Sequence, residues 1–188
     1  MALSRILLVT GNPGIGKTTV VQRAVEELVD KGLKAGGMIT REVRKGGTRI
    51  GFEIEDLSSG RKGWLAHVDQ PFGPRISKYR VNLEDVEEIG ALAIQDAVLG
   101  CDVVVIDEIG PMELFSQPFR SSLMEAIGSE KPILASIHHR ARGPFVRNIT
   151  NRSDVEIIEV TFDNRDRLPR FIAENIADTV SGKSTSHR

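Results

Sequence analysis

The chain has 188 residues, 40% of them hydrophobic and 27% charged, a balance that suits a globular protein with one sizeable core, so a single domain over residues 1–180 is expected. Its 25 Lys and Arg nearly cancel its 26 Asp and Glu, which gives no indication of nucleic acid or an anionic membrane as an obligatory partner. The first apolar run is too short for a secretory signal, no stretch approaches a spanning helix, and Cys101 has no second cysteine to pair with, so a cytoplasmic location and a buried, inert thiol are expected.

Residues 5–10, RILLVT, are a short β-branched run bounded by glycine, the pattern of a strand buried on both faces of a parallel sheet. Val20, Val21, Ala24, Val25 and Leu28 then recur at helical spacing between Lys17 and Lys31, and Gly32 stands where helices commonly stop. KAGGMITREV (34–43) and TRIGFEIEDL (48–57) read as two strands joined through RKGG in a tight hairpin that projects Arg41, Arg44, Lys45 and Arg49. Residues 56–82 mix Gly, Pro and Ser with the sole Trp and Tyr and show no period, which predicts a long loop or a short excursion. LEDVEEIGALAIQDAVLG (83–100) resumes the helical period, and DVVVIDEIG (102–110) is a second apolar strand that ends on two carboxylates. A helix follows Pro118, KPILASIH (131–138) and DVEIIEVT (154–161) are strands, and NRDRLPRFIAENIADTV (164–180) is an amphipathic last helix. Strands alternating with helices specify an α/β fold of three layers, a mostly parallel sheet flanked by helices, here with an inserted β-hairpin and loop. Residues 181–188 are polar without an apolar anchor and are expected to form a disordered tail.

GNPGIGKT, Gly11 to Thr18, fits G-x-x-x-x-G-K-[ST] and lies between a buried strand and a helix, the context that gives the phosphate-loop motif its meaning. Without Cβ atoms at its glycines the backbone can curl and aim successive N–H groups at an anion held on the positive end of the helix. The expected nucleotide-binding stretch is Gly11, Asn12, Pro13, Gly14, Ile15, Gly16, Lys17, Thr18 and Thr19, with Lys17 as the catalytic cation at the β- and γ-phosphates and the Thr18 hydroxyl as a ligand of Mg²⁺. Asp107 falls at the C-terminal end of a parallel strand, the sheet edge where such folds bind ligands, and is the second metal residue. Beside it, Glu108 can accept a proton from, or orient, a water in line with the γ-phosphate, the role of a catalytic base.

Two patterns invite a reading as a GTP-dependent switch. DEIG (107–110) fits D-x-x-G, and NRSD (151–154) is one substitution from the guanine-reading N-K-x-D. NRSD precedes an apolar strand instead of following one, which favours a loop or cap role for Asp154. His138 and His139 are adjacent at a strand end and so alternate faces, which favours a surface role. The hairpin arginines are either a source of transition-state charge or a solvated face. Asn164 and Arg165, at the same sheet edge as the phosphate loop, either contact base or phosphate, or cap the last helix and charge its first turn. Met112, Leu114, Phe115 and Phe119 read as core or interface.

GNPGIGKTT, TREVRKGGTRIGFEI, VVVIDEIGPMELFS and NRSDVEIIEVTFDNRDRLP together resemble the small thermostable nucleoside-triphosphatase family of archaea and bacteria, phosphate-loop enzymes with a human cancer-related relative, from residue 5 to about 176. The resemblance implies a RecA-like or adenosine-triphosphatase-like core, Mg²⁺ as cofactor, and slow hydrolysis of several nucleoside triphosphates, ATP and GTP with CTP and UTP beside them, to diphosphate and phosphate. It assigns Gly11, Gly16, Lys17 and Thr18 to phosphate and metal, Asp107 to the metal and Glu108 to the water. Pro13 and Pro111 fall at tolerant positions. Two readings of other classes stay open: a kinase that passes the γ-phosphoryl group to a small molecule, with the 56–82 excursion as acceptor site or lid, and a nucleotide-regulated binding module.

Overall fold

Apolar β-branched runs settle where both faces of a sheet are covered, and one-sided or broken runs settle at its edges. The computed structural model, which describes residues 4–139 and 141–182, follows that division. Its strands are β1 (Ile6–Thr10), β2 (Ala35–Lys45), β3 (Thr48–Asp56), β4 (Lys62–His67), β5 (Arg75–Ile76), β6 (Tyr79–Val81), β7 (Val103–Ile109), β8 (Ile133–Ile137) and β9 (Val155–Glu159). The helices are α1 (Lys17–Asp30), α2 (Leu83–Asp85), α3 (Leu92–Gly100), α4 (Gln117–Gly128), α5 (Pro144–Thr150) and α6 (Leu168–Val180), with π-helical Val86–Ala91 joining α2 to α3.

The strands form one sheet in the order β5-β6-β4-β3-β2-β7-β8-β1-β9. From β2 to β9 the pairing is parallel, and from β2 outward through β3, β4, β6 and β5 it is antiparallel. Successive residues of β7 show why helices are needed on both faces. Val103 and Val105 join an apolar cluster with Val20, Leu28 and Ile172 under α1 and α6, while Val104 and Ile106 join one with Ile94, Phe119 and Leu123 under α3 and α4. The helix after Ser116 begins where its sequence says it should, since the Ser116 hydroxyl accepts the Phe119 N–H at 3.1 Å and a proline occupies the first turn.

Two sequence expectations change. The segment 56–82 is not a loop: it supplies β4, β5 and β6, which widen the sheet. These strands are short, and their pairing rests on distant contacts, such as the Trp64 N–H donating to the Asp85 carboxylate at 2.7 Å, which no local period records. The expected hairpin forms and belongs to the sheet, since β2 pairs with β7 through its first half and with β3 through its second. PFVRNIT, given no element from sequence, is α5. Asp107 and Glu108, joined by a cis peptide bond, stand as expected near the C-terminal end of β7, which closes at Ile109. Of the polar tail, Ser181 and Gly182 close α6, and residues 183–188 lie outside the described residues. No described helix is long and apolar enough to cross a membrane.

Candidate active site

The loop between β1 and α1 is shaped by Pro13 and Gly14. The Ile15 N–H donates to the Asn12 carbonyl at 3.2 Å, and Gly14 has φ +78°, the arrangement of a type II turn, with proline at its second position and glycine at its third. At the other end, Gly11 passes so close to β9's exit that a Cβ there would lie 2.9 Å from the Val160 carbonyl oxygen. The helix that follows has no side-chain cap and no acidic residue in its first turn. Its free N–H groups and positive dipole end are therefore left for an anion.

Lys17 is the first residue of α1, and its Nζ lies 3.4 Å from Glu108 Oε1 and 3.5 Å from the Gly11 carbonyl oxygen. Burial pushes the Glu108 pKa up, and Lys17 pulls against it. Asp107 is fully buried. It accepts a hydrogen bond from the Ser136 hydroxyl of β8, and burial raises its pKa to about 6 against the lowering effect of Ser136 and Thr18. Its Oδ2 has no hydrogen-bond partner among the described residues. A buried carboxylate oxygen left open beside the Thr18 hydroxyl is a hard-oxygen donor set that fits Mg²⁺, an ion usually held by one or two protein ligands plus phosphates and water. Among the described residues no group of three His, Cys, Asp or Glu could hold a metal ion.

One residue of the site escaped the sequence reading. Glu113, in a 3₁₀ turn spanning Glu113–Phe115, is only 3% exposed, and burial, then the charges of Glu108 and Asp107, push its pKa up to about 8. A Cβ on Gly110 would lie 2.7 Å from Glu113 Oε2 and 3.3 Å from Glu108 Oε2, so the two carboxyls share the space over that glycine. The only local signal was a single acidic residue among Met112, Leu114 and Phe115.

Cavities meet the phosphate loop on two sides among the described residues. One of about 580 Å³ begins at Lys17, Thr18 and Glu108 and reaches Arg41, Arg49 and Phe52 on the antiparallel side. A smaller one of about 180 Å³ touches Gly16, Thr19, Arg23 and Arg165. Arg165, stacked 5.0 Å over Phe162, is thus brought to the loop. Asn164 instead ties the β9–α6 connection together, accepting the Thr161 N–H and donating to the Glu159 carbonyl, both at 2.8 Å. Of the hairpin charges, Arg41 pairs with Glu55 at 3.4 Å and Arg49 with Glu42, while Arg44 turns to Glu42 and the Gly47 carbonyl. His138 lines the large cavity and also a separate one that it shares with His139; both follow the end of β8 and their rings lie 4.6 Å apart, so they do not take opposite faces as strand alternation predicted. Phe119 and Cys101 are buried, and Phe115 is 45% exposed.

Asp154 sits at the opposite edge of the sheet. The register pairs Val155 with Ile6, the start of β1, whereas the phosphate loop follows its end. Its carboxylate pairs with Arg152 at 2.8 Å and Arg5 at 2.7 Å, and these hold its pKa near 2, Arg152 most strongly. It does not read a base at the phosphate loop.

A family model described as NTPase matches residues 6–173. The nucleoside-triphosphatase THEP1 of Thermofilum pendens is 50% identical over 182 residues, which cover 96% of this chain and 100% of that protein. The protein of the same name from Methanosarcina acetivorans is 51% identical over 167 residues, 88% of this chain and 93% of that one. Among solved structures, the crystal structure of THEP1 from Aquifex aeolicus matches with a TM-score of 0.80 at 32% identity, covering 91% of this chain and 98% of that chain. The solution structure of a human cancer-related nucleoside triphosphatase matches with a TM-score of 0.76 at 34% identity, covering 96% and 100%.

Proposed function

The chain belongs to the nucleoside-triphosphatase family, and from that premise we propose that it hydrolyses nucleoside triphosphates, ATP and GTP with CTP and UTP beside them, to diphosphate and phosphate with Mg²⁺ as cofactor. The observation that carries this reading is the facing pair of Lys17 and Glu108, 3.4 Å apart at the mouth of the phosphate loop. The loop and the first turn of α1 offer N–H donors to the phosphate oxygens, and Lys17 adds a cation at the β- and γ-phosphates. Thr18 and Asp107 would hold Mg²⁺, which when bound neutralises charge that builds on the phosphates. Ser136 fixes the Asp107 carboxylate by donating to it from the neighbouring strand.

Glu108 takes the proton of the attacking water. The water oxygen bonds to the γ-phosphorus, the bond from that phosphorus to the β–γ bridging oxygen breaks, and the nucleoside diphosphate departs with the electron pair. Lys17 lowers the Glu108 pKa, so a triphosphate that takes up the Lys17 charge releases Glu108 as a stronger base when substrate is in place. With Asp154 at the far edge of the sheet, nothing guanine-specific is supplied there, and purine and pyrimidine triphosphates are expected to react alike.

The test is phosphate release from Mg-ATP by the wild type and Lys17→Ala. Loss of a positioned cation from a charge-stabilising site costs on the order of 10²–10³ in turnover. Wild-type turnover in Lys17→Ala would remove the site assignment.

A further inference from the structure

A carboxyl in a buried position costs stability that an apolar side chain of the same size would not. Glu113 occupies such a position: it is 3% exposed, and it lines the same cavity as Lys17, Thr18 and Glu108. The turn after β7 holds it there from both ends. The Leu114 N–H donates to the Gly110 carbonyl and the Ser116 N–H to the Glu113 carbonyl, both at 3.1 Å, while Met112 and Leu114 pack against the core under α3 and α4. The Glu113 carboxyl accepts from its own N–H and from that of Gly110, which keeps it against the end of β7.

Gly110 supplies the room. A Cβ there would meet Glu113 Oε2 at 2.7 Å, Glu108 Oε2 at 3.3 Å and His138 Cβ at 3.6 Å. The two carboxyl oxygens therefore reach toward one point and lie at most about 6 Å apart, a span that a single water donating to both can cover. One acceptor fixes where a water sits, whereas two also fix how it is turned, with its lone pairs directed away from both carboxyls.

We propose that Glu113 is a second anchor of the attacking water, accepting one of its hydrogens while Glu108 accepts the other and takes that proton as the bond to phosphorus forms. The assignment rests on the nucleoside-triphosphatase reading, since it uses the same water and the same base. A water lone pair makes the bond to the γ-phosphorus. The bond from that phosphorus to the β–γ bridging oxygen breaks, and its electron pair leaves on the nucleoside diphosphate. Glu113 neither gains nor loses a proton. Burial, with the charges of Glu108 and Asp107, pushes its pKa up to about 8, so at pH 7 it is a neutral carboxyl whose oxygen still accepts, and it adds no further negative charge beside the phosphates.

The experiment is run at pH 7 on the full chain and measures phosphate release over a range of Mg-ATP concentrations, beside titration with a non-hydrolysable ATP analogue. Glu113→Leu keeps the bulk and removes the acceptor. Its kcat should fall about 100-fold, the scale on which a misplaced reacting group costs rate, while KM and the analogue's affinity stay as in wild type, the mark of an interaction made in the transition state. Glu113→Gln returns a carbonyl oxygen to the same place and should recover at least about tenfold of that loss. Gly110→Ala, at a position without positive φ, puts a methyl group where the two carboxyls converge and should lower kcat by at least about tenfold with binding kept. Wild-type kcat in Glu113→Leu overturns the water-holding role and leaves hydrolysis standing, and so does a Glu113→Gln variant that falls as far as Glu113→Leu. A loss of analogue affinity as large as the loss of kcat/KM overturns it as well. If Glu113→Leu does not fold, Gly110→Ala decides: wild-type kcat there overturns the assignment, and a fall with binding kept supports it. A wild-type protein that releases no phosphate sinks the hydrolytic reading itself, and the role of Glu113 with it.

Discussion

Replacing Glu113 by Gln should make the protein more stable near pH 8 and change little at pH 5. Glu113 is 3% exposed, and its pKa rises from 4.5 to about 8, first through burial and then through Glu108 and Asp107. Below pH 4.5 the folded and unfolded chains both hold this proton. Between there and pH 8 the unfolded chain releases it while the folded chain keeps it, so stability falls as pH rises. The separation of the two pKa values corresponds to roughly 5 kcal/mol at its upper limit. Gln keeps the shape and has no proton to lose, so this part of the alkaline decline should vanish. Asp107, raised to about 6, contributes its own decline at lower pH in both proteins. Urea unfolding from pH 5 to 8.5 in metal-free buffer measures the effect, with a stability gap of several kcal/mol opening by pH 8. Parallel curves for the two proteins over that range would refute the assignment of a held proton to Glu113.

Asp107→Asn should raise the Mg²⁺ concentration needed for half-maximal phosphate release and lower turnover by 100-fold or more, on the order expected for lost metal-ion chemistry; a Mg²⁺ titration of phosphate release with an unchanged midpoint would count against the metal assignment. ATP and GTP turnover should stay within about tenfold of one another, a gap of about 1.4 kcal/mol, and Asp154→Ala should leave that ratio alone while costing stability by about 1 kcal/mol through its lost ion pairs. A GTP preference of several orders of magnitude that disappears in Asp154→Ala would restore the switch reading.

The parts of the molecule that depend on near neighbours were legible before any fold was known. β1, the Pro13-Gly14 turn and the start of α1 are consecutive in the chain, so the phosphate loop declares itself through spacing alone. β7 could be read because it is buried on both faces, which leaves a continuous apolar run with Asp107 and Glu108 at its ligand end. The order of NRSD and the strand after it was enough to set Asp154 aside, and the β9 register puts it at the wrong edge. What depends on distant contacts was not legible. β4 to β6 are strands because Trp64 meets Asp85, Leu65 meets Asn82 and Ala66 pairs with Val81 across the fold, and their residues show no local alternation. Glu113 resembles any surface acid until the turn after Gly110 folds it against Glu108. Asn164 and Arg165 are adjacent in sequence, yet one binds backbone and the other reaches the loop, a split that side-chain direction decides and spacing does not.

Glu108 is the proposed proton acceptor for the attacking water. Glu108→Gln keeps shape and hydrogen-bonding capacity, removes the basic oxygen, and removes the partner that competes with phosphate for Lys17, 3.4 Å away. Titration with a non-hydrolysable ATP analogue and Mg²⁺, beside phosphate release from Mg-ATP, separates binding from chemistry in this variant. Affinity equal to or tighter than wild type with turnover lower by about 10²–10⁴ is the predicted result. Near wild-type turnover in Glu108→Gln would contradict it and place the base elsewhere, on another side chain or on the substrate's own phosphate.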